Sequence, residues 1–228
     1  MKHNTEKYKN ETREAFKTLR TNIDFAGIDT PIRSVTITSA KKGEGKSTIA
    51  SNLAIVEAER HKKTLLIDND FRNPQQARTF GVRSAHKLSE ILDATSENFM
   101  DFCLPTKFRD LYVLDIASRR LSNPVDLLAS QKNKHLIELA NEFFDFVVID
   151  TPPLELFIDA AIVAPLTDGV ILAVGSGMTT AAEERDVLGQ LKKAQANVLG
   201  AVLNGVKNGR KNDYYYYSKK KSGRKRLK

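Results

Sequence analysis

Residues Ser39 to Thr48 read SAKKGEGKST, between a short β-branched run, RSVTIT (Arg33 to Thr38), and a segment of helical period from Ser47 to Glu59. A glycine-rich turn from strand to helix is the context in which a phosphate-binding loop has physical meaning. Gly43 and Gly45 let backbone N–H groups turn inward around phosphate oxygens, and the helix N-terminus favours their negative charge. Lys46 is long enough to reach β and γ phosphates, and the Ser47 hydroxyl is a magnesium ligand by chemistry. Glu44 and Thr48 complete the run of candidate nucleotide-binding residues Gly43, Glu44, Gly45, Lys46, Ser47 and Thr48. Ala40 stands where the usual G-x-x-x-x-G-K-[ST] pattern begins with glycine, so this is a variant loop.

Outward from the loop, apolar β-branched runs alternate with longer segments of helical period. The strands are Arg33 to Thr38, Thr64 to Asp68, Leu111 to Ile116, Phe146 to Asp150, Gly169 to Val174 and Asn197 to Asn204. The helices are Ser47 to Glu59, Pro124 to Phe143, Asp159 to Leu166 and Thr180 to Ala194. This alternation predicts an α/β fold, a doubly wound and mostly parallel sheet covered on both faces. Residues 1–30 read as an N-terminal helical arm lying outside the sheet, 31–206 as the phosphate-loop domain, and 207–228 as a disordered basic tail rich in tyrosine.

In such sheets ligands bind beyond the carboxyl ends of the strands. The second strand ends in IDNDFRNP, which places Asp68 and Asp70 at i and i+2, on the same side of the chain. Two carboxylates so placed repel each other, whereas beside a magnesium nucleotide they can support the metal and accept a hydroxyl proton. An Asx-rich turn capping the next helix is the alternative. The fourth strand ends VVIDTPP, and Asp150 there suits a carboxylate supporting magnesium from the far side of the nucleotide.

The formal charge of the 228 residues is +8, but it is not evenly spread. From Lys207 to Lys228 there are ten basic residues and one acidic, a net of +9, which leaves 26 basic against 27 acidic, or −1, for the rest. A neutral body argues against a nucleic-acid partner, while the tail can meet an anionic surface such as the inner face of a membrane. The single Cys103 reads as a buried thiol in a reducing compartment. The polar start MKHNTEKYKNE does not suit a signal peptide, and no apolar run approaches the roughly 18 residues of a membrane span. A cytoplasmic protein is expected, recruited to the membrane through a partner.

Taken together, EAFKTLRTNI (Glu14 to Ile23), GEGKST, DNDFRNP, SNPVDLLAS (Ser122 to Ser130), FDFVVIDTPP (Phe144 to Pro153), DAAIVAPLTDGVILAV (Asp159 to Val174) and the terminal cluster Tyr214, Tyr215, Tyr216 and Tyr217 resemble the bacterial tyrosine kinases of capsule and exopolysaccharide synthesis, within the deviant phosphate-loop ATPases. The resemblance implies an ATP- and Mg2+-dependent protein-tyrosine kinase in which Lys46 and Ser47 are the loop lysine and metal ligand. Asp68 is then the base on the substrate tyrosine, Asp70 and Asp150 the metal-supporting carboxylates, and Arg72 a structural or phosphate-side arginine. It also implies a homo-oligomeric ring in which a neighbour's tail enters the site, contacts from an E-x-x-R-x-x-R helix, and a membrane-bound activator of the polysaccharide co-polymerase type. The helix positions here are Glu14, Lys17 and Arg20; lysine at the second forfeits a planar bidentate fork.

Two other readings compete. Lys41 falls where chromosome-partitioning and septum-site ATPases carry their signature lysine, so an ATPase switch is one alternative, although no amphipathic membrane-targeting helix closes the chain. A nucleotide-gated binding module of a polysaccharide-assembly complex is the other. Arg119 and Arg120 read as solvent-facing, Tyr8 and Tyr112 as ordinary arm and strand residues.

Overall fold

The structure, a computed structural model, describes residues 2–117, 121 and 123–206. Tyr214, Tyr215, Tyr216 and Tyr217, the remainder of the tail, Arg119 and Arg120 lie outside the described residues. Seven strands form one sheet: β1 (Ser34–Ser39), β2 (Thr64–Asp68), β3 (Leu104–Pro105), β4 (Leu111–Leu114), β5 (Phe146–Asp150), β6 (Gly169–Gly175) and β7 (Val198–Asn204). Their spatial order is β3-β4-β2-β5-β1-β6-β7, and every pairing is parallel except the short β3–β4 edge. The fold is therefore the phosphate-loop α/β architecture.

Every residue of β1, β2 and β5 is buried, as expected of parallel strands covered on both faces. The twofold side-chain alternation divides each strand between two cores. Leu65, Ile67, Val147 and Ile149 face α7 (Gln131–Phe143), joining Leu136, Ile137 and Ala140. Leu66, Val148, Val35 and Ile37 face α2 (Lys46–Ala58), joining Ile49, Leu53 and Ala54. A third cluster sets Val187 and Leu191 of α9 (Ala181–Lys193) against Val170 and Leu172. Burial pushes the Cys103 thiol up to about 12, which fits an inert core cysteine.

Several elements depart from the sequence expectation. The helix expected over Pro124 to Phe143 is two, α6 (Pro124–Leu128) and α7, because Ser130 caps the second: its hydroxyl accepts the Asn133 N–H. The helix expected to end at Leu166 is α8 (Asp159–Val163) followed by a 3-10 turn, since Pro165 has no N–H to continue the ladder. Three short helices, α3 (Gln76–Phe80), α4 (Leu88–Leu92) and α5 (Phe99–Phe102), occupy the segment between β2 and β4. The first helix, α1 (Lys2–Ala26), lies outside the sheet and packs on α2: Phe16, Leu19 and Ile23, at helical spacing, join the α2-side core. Arg13 pairs with Glu59 at 2.6 Å and Arg60 with Asp24 at 2.7 Å along the same seam.

Candidate active site

The loop between β1 and α2 is held by its glycines and by struts from two other strands. Gly43 and Gly45 have φ of 92° and 91°, in the left-handed region. A Cβ on Gly45 would lie 2.0 Å from the Asn204 amide nitrogen at the end of β7, and that nitrogen donates to the Glu44 carbonyl at 3.0 Å. The Glu44 side chain turns into the body rather than toward a ligand. It accepts the Lys41 N–H at 2.6 Å, the Gly175 N–H at 3.0 Å and the Thr179 hydroxyl, so it fastens the loop to the end of β6. Lys41 pairs with Glu183 on α9 at 2.7 Å, and that bond, with two from Thr180, holds the Glu183 carboxyl down to about 2.

Asp68 and Asp150 end adjacent strands in register. Both are fully buried. Asp68 accepts the Asp70 N–H through Oδ1 at 3.1 Å, and the Gln75 and Gln76 N–H groups through Oδ2 at 2.8 and 2.9 Å. Burial, and then the charge of Asp150, push it up to about 7 against those three donors. Burial likewise raises Asp150 to about 6, opposed by Lys46, the nearby Ser47 hydroxyl and Gln76. Asp70 has both oxygens engaged: Oδ2 takes the Lys46 ammonium at 3.1 Å, and Oδ1 takes the Arg72 and Asn73 N–H groups at 3.2 and 3.0 Å. Of the six oxygens of these three carboxylates, Asp150 Oδ1 alone lacks a hydrogen-bond partner.

The structure thus brings Lys46, Ser47, Asp68, Asp70 and Asp150 together, and leaves other sequence candidates at a remove. Arg72 bonds the buried Asp159 on α8 and stacks 3.7 Å from the Phe157 ring centroid. Glu14 and Lys17 pair with each other at 2.7 Å on α1, and Arg20 donates to the Val56 carbonyl at 3.3 Å. Gln76 was not anticipated. It is fully buried at the head of α3, and its amide donates to the Asp150 Oδ2 at 2.7 Å and the Ser47 carbonyl at 3.0 Å. The available signal was its place, one turn after an Asp-x-Asp-x-Arg element and at the start of a helix.

A glycine loop opening a helix, a buried lysine at its end and two carboxylates on neighbouring parallel strands define a phosphate-loop protein of the nucleotide-binding ATPase class. The family model described as an AAA domain matches residues 32–199. Tyrosine-protein kinase YwqD of Bacillus subtilis (strain 168) is 36% identical over 91% of this chain and 86% of its own length. The putative tyrosine-protein kinase CapB of Staphylococcus aureus is 34% identical over 93% and 92%. The chain belongs to the bacterial tyrosine-protein kinases. Among solved structures, the kinase domain of Escherichia coli tyrosine kinase ETK matches with a TM-score of 0.79 and 32% identity, over 89% of this chain and 78% of that one. The septum site-determining protein MinD of Pyrococcus horikoshii, complexed with Mg-ADP, gives 0.61 and 26%, over 75% and 69%.

Proposed function

We propose that this chain is an ATP- and magnesium-dependent protein-tyrosine kinase that phosphorylates Tyr214, Tyr215, Tyr216 and Tyr217 in a neighbouring copy, and that regulates capsular or extracellular polysaccharide synthesis with a membrane-bound activator. The observation that carries this reading is the convergence of Lys46 on Asp68, Asp70 and Asp150 beneath the phosphate loop, in a member of a tyrosine-kinase family. No helix among the described residues is long and apolar enough to cross a membrane; in this reading the membrane-bound activator and the basic tail supply contact with the bilayer.

The donor set fits magnesium. Asp150 presents a buried oxygen with no partner, both end-of-strand carboxylates resist ionising because they are buried, and the Ser47 hydroxyl stands beside them at the head of α2. Asp150 and Ser47 would hold the ion, with Asp70 behind Lys46; when bound, magnesium neutralises charge on the phosphate oxygens. A tyrosine hydroxyl, with an ordinary pKa near 10, needs a base to attack at neutral pH. Asp68 raised to about 7 is a closer match than an ordinary carboxylate. Its Oδ2 is occupied by two backbone donors, so Oδ1, with one, has room for the proton. The tyrosine oxygen then bonds phosphorus as ADP departs, and Lys46 and the loop amides stabilise the phosphoryl oxygens.

Lys41, on which the partitioning reading rests, is engaged by Glu183 of its own chain and lends that reading no support. The test is to incubate the purified full-length chain with Mg–ATP and map phosphotyrosine by mass spectrometry. Modification within residues 214–217 that disappears in Lys46→Met is the expected result. Hydrolysis of ATP without any phosphotyrosine would favour an ATPase switch, and phosphotyrosine persisting in Lys46→Met, with other kinases absent, would remove Lys46 from the mechanism.

A further inference from the structure

Gln76 joins three segments that the chemistry requires to be in register. Its main-chain N–H holds Asp68 of β2, and its side-chain amide bridges Asp150 of β5 and the Ser47 carbonyl in the first turn of α2. Both partners of the amide nitrogen are acceptors, which fixes its orientation: the flipped amide would set oxygen against oxygen twice. The amide oxygen is consequently left buried and without a partner, as is Asp150 Oδ1. Such unsatisfied groups in a well-packed site are costly, and they are retained here by the residue that ties the three elements together.

We propose that Gln76 is the positioning residue of the metal–nucleotide site. By bonding Oδ2 it fixes the rotation of the Asp150 carboxylate, so that Oδ1 stays available to a divalent cation. By bonding the Ser47 carbonyl it keeps the turn that carries the Ser47 hydroxyl in step with that carboxylate. Gln76 contacts neither nucleotide nor metal itself; it acts through groups that do, as outer-shell partners of metal ligands do, and loss of such partners commonly weakens metal binding by about 10–100-fold. The inference rests on the proposed magnesium–nucleotide site.

The test uses the full chain and a fluorescent ADP analogue, with affinity measured in EDTA and across a magnesium titration. Gln76→Met preserves side-chain length and the backbone bond to Asp68 but removes the amide donor; Gln76→Glu replaces that donor with a fourth carboxylate. Gln76→Met should require about tenfold or more magnesium for half-maximal tightening, with affinity in EDTA unchanged within about threefold, and Gln76→Glu should require at least as much. A folded Gln76→Met chain with a normal magnesium requirement overturns the proposal. So does equal weakening with and without magnesium, which would mark a general structural role, and so does failure of both variants to fold. If the unmutated chain bound the analogue without any magnesium effect, the site reading itself would fall, a result distinct from a defect confined to the variants.

Discussion

Asp150→Asn should abolish kinase activity and yet stabilise the nucleotide-free protein at alkaline pH. In the folded chain the Asp150 carboxyl is displaced from 3.8 to about 6 by burial, and Asp68 beside it to about 7. A carboxyl whose folded pKa is raised binds its proton more tightly when folded, so stability declines as pH rises from the unfolded value, near 4, through the folded one. At about 1.4 kcal/mol per pH unit, that displacement corresponds to roughly 3 kcal/mol lost above pH 7, a quantity shared with Asp68 because the two charges interact. Asparagine removes the charge and can keep the Gln76 bond through its carbonyl, but its amide nitrogen takes the place of Oδ1, which has no partner, at a cost of about 1–2 kcal/mol. The net gain of about 1–2 kcal/mol at pH 8 converts to a rise in Tm of roughly 3–6 °C for a domain of this size. At pH 5 the folded carboxyl holds its proton but the unfolded one is mostly ionised, so only about half of that loss, roughly 1.5 kcal/mol, has been incurred; it about offsets the cost of the unpaired amide, and the two proteins should differ little in Tm. Thermal melts of both proteins in EDTA at pH 5 and pH 8 read this directly. A Tm difference of the same sign and size at both pH values would refute the reasoning.

Arg72→Ala should destabilise by about 3–5 kcal/mol because it strands the buried Asp159 carboxylate, and adding Asp159→Asn should recover much of that loss; denaturant melts of the two single variants and the double variant measure the coupling. Gly45→Ala must accept both a left-handed φ and a collision with Asn204, so ADP binding measured by titration should fall below detection while the chain loses about 1–3 kcal/mol. Trimming Asn204→Ala in the same chain relieves only the collision and should restore binding in part. For Lys41→Ala, the exposed partner Glu183 should return toward an ordinary carboxylate pKa, seen by NMR titration, with nucleotide affinity altered less than in Lys46→Met.

What the sequence made legible were features whose cause is local. The strands β1, β2 and β5 declare themselves because both faces are buried, which demands apolar, β-rich runs; β2 and β5 each end at a carboxylate of the site, and β1 runs into the glycine loop. The glycine loop is legible because only glycine tolerates its backbone and because a helix follows at once. Nonlocal features were not. Ser130 interrupts a segment whose apolar period continues across it, and α3, α4 and α5 are too short to show a period at all. The docking of α1 rests on Phe16, Leu19 and Ile23, with the Arg13–Glu59 and Arg60–Asp24 pairs beside them, within a helix so polar that its buried stripe is faint. Gln76 serves the site only because parallel pairing brings Asp150 beside Asp68, 82 positions earlier in the chain. That Arg72 bonds Asp159 rather than the loop lysine's neighbours is likewise a matter of how α8 packs.

The contact between Asn204 and the Glu44 carbonyl has a mechanical consequence. In the sequence the four tyrosines follow Asn204 by ten to thirteen positions, and Asn204 is the residue that fastens the phosphate loop from the β7 side. A pull on the tail, such as capture by an adjacent copy would exert, is borne first at β7's last residue and from there by the loop that grips nucleotide. Tethering the tail to a bead and following release of labelled ADP under load would reveal that link, and Asn204→Ala should uncouple force from release.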